Sequence, residues 1–387
     1  MKKILFISNI SNKITNFSMP SIIAAQNLGY EFHMAANYSN FKDDTSKYNI
    51  SIHHIDIVRN PLSLKNIKAY KQMLELIEKE KFHAIHCNTP IGGLLGRLCG
   101  KKTKVPKIIY TAHGFHFYKG APLINRTIFK WVEIWLSHYT DAIITINKED
   151  YKNVQKFRLR KNGNVYYVPG VGIDINKIKK EREKREELLK HIDANNKDIL
   201  VISVGELNRN KNNRVIIEAL GKLRDKRIHY ILCGTGEKKE ELISLSKQFN
   251  IENNVHFLGY RSDIYELLKS CDIFVMPSYR EGLSRALMEA MSAGMPCIVS
   301  KIRGNVDLIE EGKGGFLINP NDIDGFSKAI VNVIDNKELK CEMGVYNLKK
   351  IREFDVENIK EEMKKIYKKV LIEEKTYNEV EDNEEYD

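Results

Sequence analysis

The chain has 387 residues, of which 42% are apolar and 29% charged, and its formal net charge is +11. This length suits two domains of ordinary size, and the composition is that of a soluble globular protein without an apolar run long enough to span a membrane. The six cysteines are scattered and form no C-x-x-C pair, so we expect reduced thiols, no disulfide framework and no metal site.

The charge is unevenly distributed. Residues 373–387 hold eight acids against Lys375, which predicts a disordered acidic tail and leaves the rest of the chain strongly basic. A basic body could attract nucleic acid, anionic lipid or phosphorylated small molecules. The sequence has no zinc-ligand spacing, RNA-binding signature or helix-turn-helix pattern, so we expect no nucleic-acid partner.

Strands and helices are predicted to alternate along the first half of the chain. The start, M-K-K-I-L-F-I-S, has an apolar run too short for a signal peptide and predicts a first buried strand. Further apolar runs predict strands at residues 29–34, 84–87, 108–112, 142–146 and 165–168. Helices are predicted at residues 20–28 and 64–81 and after Thr89-Pro90.

A second series of strands follows a charged segment. Residues 173–197 are rich in Lys, Arg and Glu and have few large apolar side chains, which predicts an exposed, partly helical linker. Beyond this linker, strands are predicted at residues 199–205, 230–234, 255–259, 273–276 and 297–299. Residues 358–371 are predicted to form a final helix.

This alternation predicts an α/β protein with two Rossmann-like, doubly wound domains, because repeating βαβ units form parallel sheets covered by helices. We place the first domain at residues 1–172, the linker at 173–197, the second domain at 198–353 and a helix crossing back to the first domain at 354–372. Open sheets of this kind bind ligands at the carboxyl ends of their strands. The functional cleft should therefore lie between the domains.

The stretch P-S-Y-R-E-G-L-S-R-A-L-M-E-A-M-S-A-G-M-P, from residue 277, gives the clearest chemical signal. Glu281 precedes a predicted helix and Glu289 follows on it. The helix start comprises Gly282, Leu283, Ser284 and Arg285. Its free N–H groups and positive dipole end could hold a diphosphate, with one carboxylate gripping hydroxyl groups on either side. A helix-start charge and a solvated glutamate would explain the same pattern equally well.

Three other loops follow strands of the second domain and should reach the same sheet edge. The first contains Gly205, Arg209 and Lys211, the second Gly234 and Gly236, and the third Tyr260 and Arg261. Cations and tight turns at strand ends can neutralise and approach a diphosphate. Each loop by itself is also explained as an ordinary solvated turn, and only their convergence favours a site.

Together with that stretch, the pieces S-V-G-E-L-N-R-N-K-N, L-C-G-T-G-E and V-H-F-L-G-Y-R-S-D-I resemble the family-4 retaining glycosyltransferases of GT-B fold. The bacterial enzymes of capsular and exopolysaccharide synthesis are the most similar group, and the resemblance covers about residues 1–372. It implies transfer from a nucleoside diphosphate sugar, most simply a UDP-sugar, to a polyprenyl-diphosphate-linked glycan. It also implies retention at the anomeric carbon, and no metal or other cofactor is expected.

The resemblance implies roles for individual residues of the second domain. Glu281 would hydrogen-bond the donor sugar, Glu289 would hold the ribose, and Lys211 would neutralise the diphosphate. Residues 282–284 would place backbone N–H groups near the phosphates and sugar. The backbone of residues 260–261 would meet the base.

Other positions are less well matched. Glu206 replaces the family's arginine after the glycine, and Arg209 is the candidate for the missing charge. In the first domain T-A-H-G-F-H-F resembles the family's strand-end histidine motif, which would point His113 at the reacting sugar; a structural hydrogen bond would explain this histidine too. The loop at residues 8–17 lacks the glycines of many relatives and leaves acceptor approach open. Arg303 would close the donor side or belong to a polar turn.

Two segments of the first domain combine basic with apolar side chains, as membrane-facing helices do. One is residues 64–81, and the other is residues 124–138. The second contains Phe129, Trp131 and Trp135 beside Arg126 and Lys130. A core-packed helix with a solvated face explains each segment as well. With the basic body and the family resemblance, we expect a cytoplasmic protein in peripheral contact with an anionic membrane surface.

Two other functions stay open from the sequence. A nucleotide-sugar epimerase of the same fold would convert the donor without an acceptor. A non-catalytic partner subunit would only bind the nucleotide sugar, and the presence of Glu281, Glu289 and Lys211 argues against it.

Overall fold

The structure is a computed structural model that describes residues 1–160 and 163–373. The predicted acidic tail after residue 373 lies outside the described residues. The first sheet is parallel, in the order β3-β2-β1-β4-β5-β6-β7. Its strands are β1 (Lys3–Ile10), β2 (Glu31–Asn37), β3 (Ile50–His54), β4 (Ala84–Asn88), β5 (Lys107–Ala112), β6 (Ala142–Thr145) and β7 (Asn164–Tyr167).

The second sheet is also parallel, in the order β10-β9-β8-β11-β12-β13. Its strands are β8 (Ile199–Val204), β9 (Ile228–Cys233), β10 (Val255–Gly259), β11 (Ile273–Met276), β12 (Cys297–Ser300) and β13 (Gly315–Ile318). Two doubly wound α/β domains were predicted, and this fold class is confirmed.

Helices cover both sheets. Those of the first half are α1 (Met19–Asn27), α2 (Lys65–Glu80), α3 (Pro90–Lys102), α4 (Lys130–Ser137) and α5 (Lys148–Val154), with a π-helical turn at Asn125–Phe129 before α4. Between the sheets lie α6 (Ile175–Lys180) and α7 (Arg185–His191). The rest are α8 (Arg214–Leu223), α9 (Lys239–Gln248), α10 (Ile264–Ser270), α11 (Arg285–Ser292), α12 (Asn305–Leu308), α13 (Ile323–Asp335), α14 (Lys337–Lys350) and α15 (Val356–Leu371).

The central strands are largely buried and mostly apolar because each sheet is covered on both faces. In β1, Leu5 and Ile7 belong to the core on one face, whereas Ile4 and Phe6 belong to the core on the other. The second sheet is likewise packed between two cores. Continuous apolar runs therefore marked these strands in the sequence.

Two edge strands, β3 and β13, were not predicted. An edge strand is covered less completely than a central one, so its sequence needs fewer apolar residues. In β3 (I-S-I-H-H) no residue is fully buried, and in β13 (G-F-L-I) only the first is. The apolar signal that identified the central strands is therefore short or interrupted in both.

The partly helical character predicted for residues 173–197 is confirmed, but the predicted exposure is wrong for their apolar side chains. Their charged side chains face solvent, but Ile178, Leu188 and Leu189 are buried in the core between α6, α7 and the second sheet. Arg185 donates hydrogen bonds to Asp272 and to the backbone of residue 198, which fixes α7 against the start of β8 and β11. A few leucines and isoleucines among many charges were enough to form amphipathic helices.

The chain passes between the domains at two adjacent places. Ile173 donates its N–H to the carbonyl of Phe354, and its own carbonyl accepts from Val356. After this crossing α15 packs on the first domain, where Tyr367 is fully buried and bonds through its hydroxyl to His86 of β4 (2.6 Å). The segment that enters the second domain and the segment that leaves it are thus held together by two backbone hydrogen bonds.

Candidate active site in the inter-domain cleft

The carboxyl ends of the two sheets face each other, and a buried ion pair joins the loops that follow them. Arg303, after β12, donates through Nη1 to Asp150 Oδ1 (2.9 Å) and to the carbonyl of Phe115 (2.8 Å) in the first domain. Arg303 is 6% exposed and Asp150 is completely buried. Burial raises the pKa of Asp150, and the Arg303 charge opposes that rise. Water is therefore excluded from this contact.

Glycine residues allow the two backbones to touch beside this ion pair. A Cβ atom on Gly282 would overlap the carbonyl oxygen of His113, and one on Gly304 would overlap the carbonyl oxygen of Gly282. The φ angle of Gly304 is +83°, which also favours glycine. The loop after β11 is thus in backbone contact with the loop after β5 on one side and the loop after β12 on the other.

Lys211 and Glu281 meet at the carboxyl end of the second sheet. Lys211 Nζ lies 2.7 Å from Glu281 Oε1, and both side chains are largely shielded from solvent. Asn208 caps the 3₁₀ turn that presents Lys211. Gly205 has a φ of +149°, which favours glycine, and a Cβ there would come within 3.1 Å of the Lys211 side chain. The structure therefore brings together two residues that are 70 positions apart in the sequence.

The N-terminus of α11 is capped by a side chain. Ser284 is the N-cap residue and its hydroxyl accepts from the N–H of Leu287. Leu283 packs next to Gly170, at the end of the first domain. The N-terminus of α11 therefore directly follows the loop that carries Glu281 and contacts the first domain.

Glu289 is buried on α11 rather than solvated. Its carboxylate accepts from Arg285 Nε (2.9 Å) and is 3.4 Å from the hydroxyl of Tyr265. Burial raises its pKa, and Arg285 opposes that rise. Arg285 therefore pairs with Glu289, not with Glu281.

His113 lies on the first-domain side of the contact. Its Nε2 is 3.1 Å from Asn88 Oδ1, and its ring centroid lies 4.6 Å from that of Phe17, with the two rings tilted by 34°. Burial lowers the pKa of His113 to about 4, so the ring is neutral at physiological pH. The neutral imidazole donates its Nε2–H to Asn88 Oδ1, so its Nδ1 can accept a hydrogen bond without adding charge.

Three residues of the predicted set have side chains that lie apart from this cluster, and the backbone contact predicted for residues 260–261 stays a prediction. Arg209 is exposed, and no acidic partner for it exists among the described residues. Tyr260 is 81% exposed, and Arg261 is bound to Asp263 (2.8 Å). The structure does not join these side chains to the Lys211–Glu281 pair.

Gly234 and Gly236 have a packing role. A Cβ on Gly234 would overlap the carbonyl of Gly205, and one on Gly236 would overlap the carbonyl of Leu207. The loops after β8 and β9 therefore pack backbone against backbone, which keeps the 3₁₀ turn of Lys211 in place.

Sequence reasoning missed Asn88 and Asp150. Both follow or end strands of the first sheet, so their position at the carboxyl edge was a usable signal. Asp150 was hidden within the polar run N-K-E-D, where only the fold shows which carboxylate turns inward. Within residues 1–160 and 163–373 no three His, Cys, Asp or Glu side chains cluster closely enough to hold a metal ion.

Comparisons with known proteins identify the family. The family described as "Glycosyl transferases group 1" matches residues 184–350, and "Glycosyl transferase 4-like" matches residues 3–147. EpsD of Bacillus subtilis, which is named as a glycosyltransferase, is 32% identical over 372 residues, covering 95% of this chain and 96% of EpsD. The chain belongs to the glycosyltransferases.

Other relatives agree with this assignment. The UDP-Gal:alpha-D-GlcNAc-diphosphoundecaprenol alpha-1,3-galactosyltransferase of Escherichia coli is 29% identical over 321 residues, covering 82% of this chain and 83% of that enzyme. The crystal structure of Anabaena HepE in complex with UDP superposes with a TM-score of 0.77 at 20% identity, covering 95% and 99% of the two chains. The GT-B fold and the glycosyltransferase class, both predicted, are confirmed.

Proposed function

We propose that this glycosyltransferase moves a sugar from a UDP-sugar to a polyprenyl-diphosphate-linked glycan in the synthesis of a cell-surface polysaccharide. The observation that carries the proposal is the Lys211–Glu281 pair, which sits at the carboxyl edge of the second sheet and faces the first domain. The names of the relatives support the substrates, since one acts with UDP-Gal on a diphosphoundecaprenol-linked sugar.

Lys211 is proposed to stabilise the leaving diphosphate. When the bond between the anomeric carbon and the phosphate breaks, negative charge grows on the phosphate oxygens, and a preorganised cation and helix N–H groups stabilise it. A donor diphosphate would take Lys211 from Glu281, and the freed carboxylate would then accept hydrogen bonds from the sugar hydroxyls. Because this arrangement supplies positive charge, we propose that no metal is needed; transfer should persist in EDTA.

His113 and Glu289 are proposed to contact the two ends of the donor. The neutral His113 ring would hydrogen-bond the sugar near the reacting carbon, where a positive imidazolium would oppose the developing oxocarbenium charge. Glu289, oriented by Arg285 and Tyr265, would bond the ribose. Arg209 would add a peripheral charge in place of the arginine that Glu206 replaces.

Domain movement is part of the proposal. The cavities lined by His113 and by Lys211 have volumes of only ≈ 20 Å³ and ≈ 10 Å³, enough for about one water molecule each. A nucleotide sugar therefore requires the loops around Gly282 to separate. Closure by Arg303 and Asp150 would afterwards exclude water from the bond being broken.

Peripheral membrane contact is proposed for the first domain. No helix in the described part of the chain is long and apolar enough to cross a membrane. Large apolar side chains are nevertheless exposed on the two predicted segments: Leu64, Ile67, Ile128, Trp131 and Trp135. Lysines lie beside them, which suits insertion into an anionic interface.

A donor screen tests the function. The protein is incubated with UDP-sugars and a bacterial membrane extract, and mass spectrometry follows UDP release and lipid-linked products. We expect one UDP-sugar to yield a lipid-linked glycan longer by one sugar. An epimerised donor in the absence of extract, or no UDP-dependent product with any donor, would contradict the proposal.

Sedimentation with phosphatidylglycerol vesicles tests the membrane contact. Binding should weaken about a hundredfold or more for Leu64→Ser/Trp131→Ser, because two buried apolar side chains contribute about 1.5–3 kcal/mol each. Leu348→Ser, on α14 of the second domain, is the matched control. Equal binding by all three proteins, or none at low salt, would count against this surface.

A further inference from the structure

A second cavity opens beside the cleft in the first domain. It has a volume of ≈ 590 Å³ and lies between the loop after β5, the turns leading into α4, and α5. Tyr118 is part of its wall, and the guanidinium of Arg303 lies 5.0 Å from the centre of the Tyr118 ring. Arg303 in turn donates to the carbonyl of Glu281. The side chains of Tyr118 and Arg303 therefore connect this cavity to Glu281 of the proposed donor site.

Three cations line the cavity: Lys119, Arg126 and Lys130. All three are exposed, and none has a carboxylate partner within the described parts of the chain. Glu149 is the acid in the wall, and its Oε1 accepts from the backbone N–H of residue 119. Around the cleft, by contrast, Lys211 and Arg303 are each paired with an acid. The cavity therefore has an excess of positive charge.

The spacing of two of these cations adds to the argument. Arg126 and Lys130 are four residues apart on the helical segment and so lie on one face. Like charges at this spacing repel each other and destabilise a helix. A bound anion with several negative charges would remove that repulsion and would make charge-assisted hydrogen bonds to both side chains.

Exposed apolar side chains lie on the cavity wall and next in the sequence to its lining residues. Leu123, which lines it, is 75% exposed, and Trp131, the next residue after Lys130, is 74% exposed. Ile124 is more than half exposed as well. A ligand that fits both the cations and these apolar side chains has a multiply charged head group joined to an apolar chain.

We infer that this cavity binds the diphosphate of the acceptor, with the first units of its prenyl chain lying over Leu123 and Trp131. The inference rests on the proposed function, which supplies the acceptor class, and it adds the place where that acceptor is held. The glycan attached to the diphosphate would then extend past Tyr118 and Arg303 towards the donor sugar.

Tryptophan fluorescence provides a direct assay, because the two tryptophans of the chain, Trp131 and Trp135, both lie on α4. The full-length protein is titrated with farnesyl diphosphate, without vesicles or detergent. Saturable binding is expected for the wild type. Arg126→Gln/Lys130→Gln should bind at least about tenfold more weakly, because two charge-assisted contacts to the diphosphate are lost. Lys226→Gln/Lys247→Gln, two exposed lysines of the second domain, is the matched control and should bind like the wild type.

Three further ligands identify what the cavity recognises. Farnesol tests the chain alone, inorganic pyrophosphate the head group alone, and phosphatidylglycerol vesicles a membrane lipid. We expect farnesyl diphosphate to bind best and to compete with pyrophosphate. Equal binding of farnesol, or an equal response to vesicles and to farnesyl diphosphate that the double substitution does not change, would overturn the inference.

Two measurements separate this inference from the proposed function. UDP binding should be unchanged in Arg126→Gln/Lys130→Gln, whereas the KM for the lipid-linked acceptor should rise about tenfold or more. If transfer occurs and that KM does not change, the cavity assignment is wrong while the function stands. If farnesyl diphosphate binds as expected but no UDP-sugar is transferred, the proposed function fails while the cavity assignment stands.

Discussion

The two halves of the molecule meet at the cleft with different kinds of side chain. The second domain contributes charges that are already paired with carboxylates, such as Lys211 with Glu281 and Arg285 with Glu289. The first domain contributes neutral groups at the same level, namely His113 with Asn88 and the ring of Phe17. Its unpaired cations lie farther out, around the ≈ 590 Å³ cavity.

This difference suits the two tasks of a glycosyltransferase. A leaving diphosphate needs fixed positive charge in a site shielded from water, where electrostatic interactions are strongest. The side that meets the sugar and the attacking hydroxyl needs polar groups without charge. The buried Arg303–Asp150 pair joins these halves. Removing this pair is therefore the most direct test of how much the two domains depend on each other.

Arg303→Ala should cause the largest loss of stability. It leaves Asp150 buried without its cation, which typically costs about 3–5 kcal/mol. The free energy of unfolding from urea titration measures this loss. Arg214→Ala, which removes an exposed pair with Glu218, is the control and should cost no more than about 0.5 kcal/mol. A similar small cost for both would mean that the domains do not depend on this contact.

Lys211→Ala should lower kcat by about 10²–10³-fold while the protein stays folded, because a preorganised charge at the leaving phosphate is lost. Glu281→Ala should cause a similar loss through the donor sugar. Steady-state kinetics with the donor found in the screen measure both, and circular dichroism checks folding. Near-normal turnover in either variant would remove that residue from the mechanism.

Acid should destabilise the first domain through His86. Burial lowers the pKa of His86 to about 3 in the folded protein, from 6.5. The unfolded chain therefore binds a proton below pH 6.5 that the folded chain does not, and stability is lost as the pH falls from 6.5 towards 3. From pH 7 to pH 5 this loss amounts to about 2 kcal/mol.

Urea titrations of wild type and His86→Gln at both pH values measure this effect. The variant should be less sensitive to pH by that amount, since glutamine does not titrate. An identical pH dependence would show that the buried neutral histidine does not explain the acid sensitivity.

Arg209→Ala should have the smallest effect. Arg209 is exposed, and exposed charges contribute up to about 1 kcal/mol, which limits the fall in kcat/KM to about fivefold. A loss as large as that of Lys211→Ala would instead show that Arg209 turns inwards and replaces the arginine missing at position 206.

Much of the fold was readable from the sequence because buried parallel strands are continuous apolar runs. The edge strands β3 and β13 were not predicted, because they are only partly buried and their apolar runs are short or interrupted. Residues 173–197 were misjudged because their buried leucines are few among many charges, yet each occupies the inner face of a short helix. Periodicity in short, charged helices is too weak to predict packing.

For the candidate site as well, one part was predictable from the sequence and another only from the structure. The sequence determined which loops of the second domain reach the carboxyl edge, because strand direction and order place their ends together, and this brought Lys211 and Glu281 into one site. Only the tertiary structure decided that Arg303 bonds to Asp150, that Glu289 pairs with Arg285, and that Arg261 is bound to Asp263. Arg303 and Asp150 are 153 positions apart, so no local pattern in the chain encodes their contact. The other two pairs are close in the sequence, but only the fold decides that Glu289 is buried beside Tyr265 and that each arginine takes its neighbour as partner.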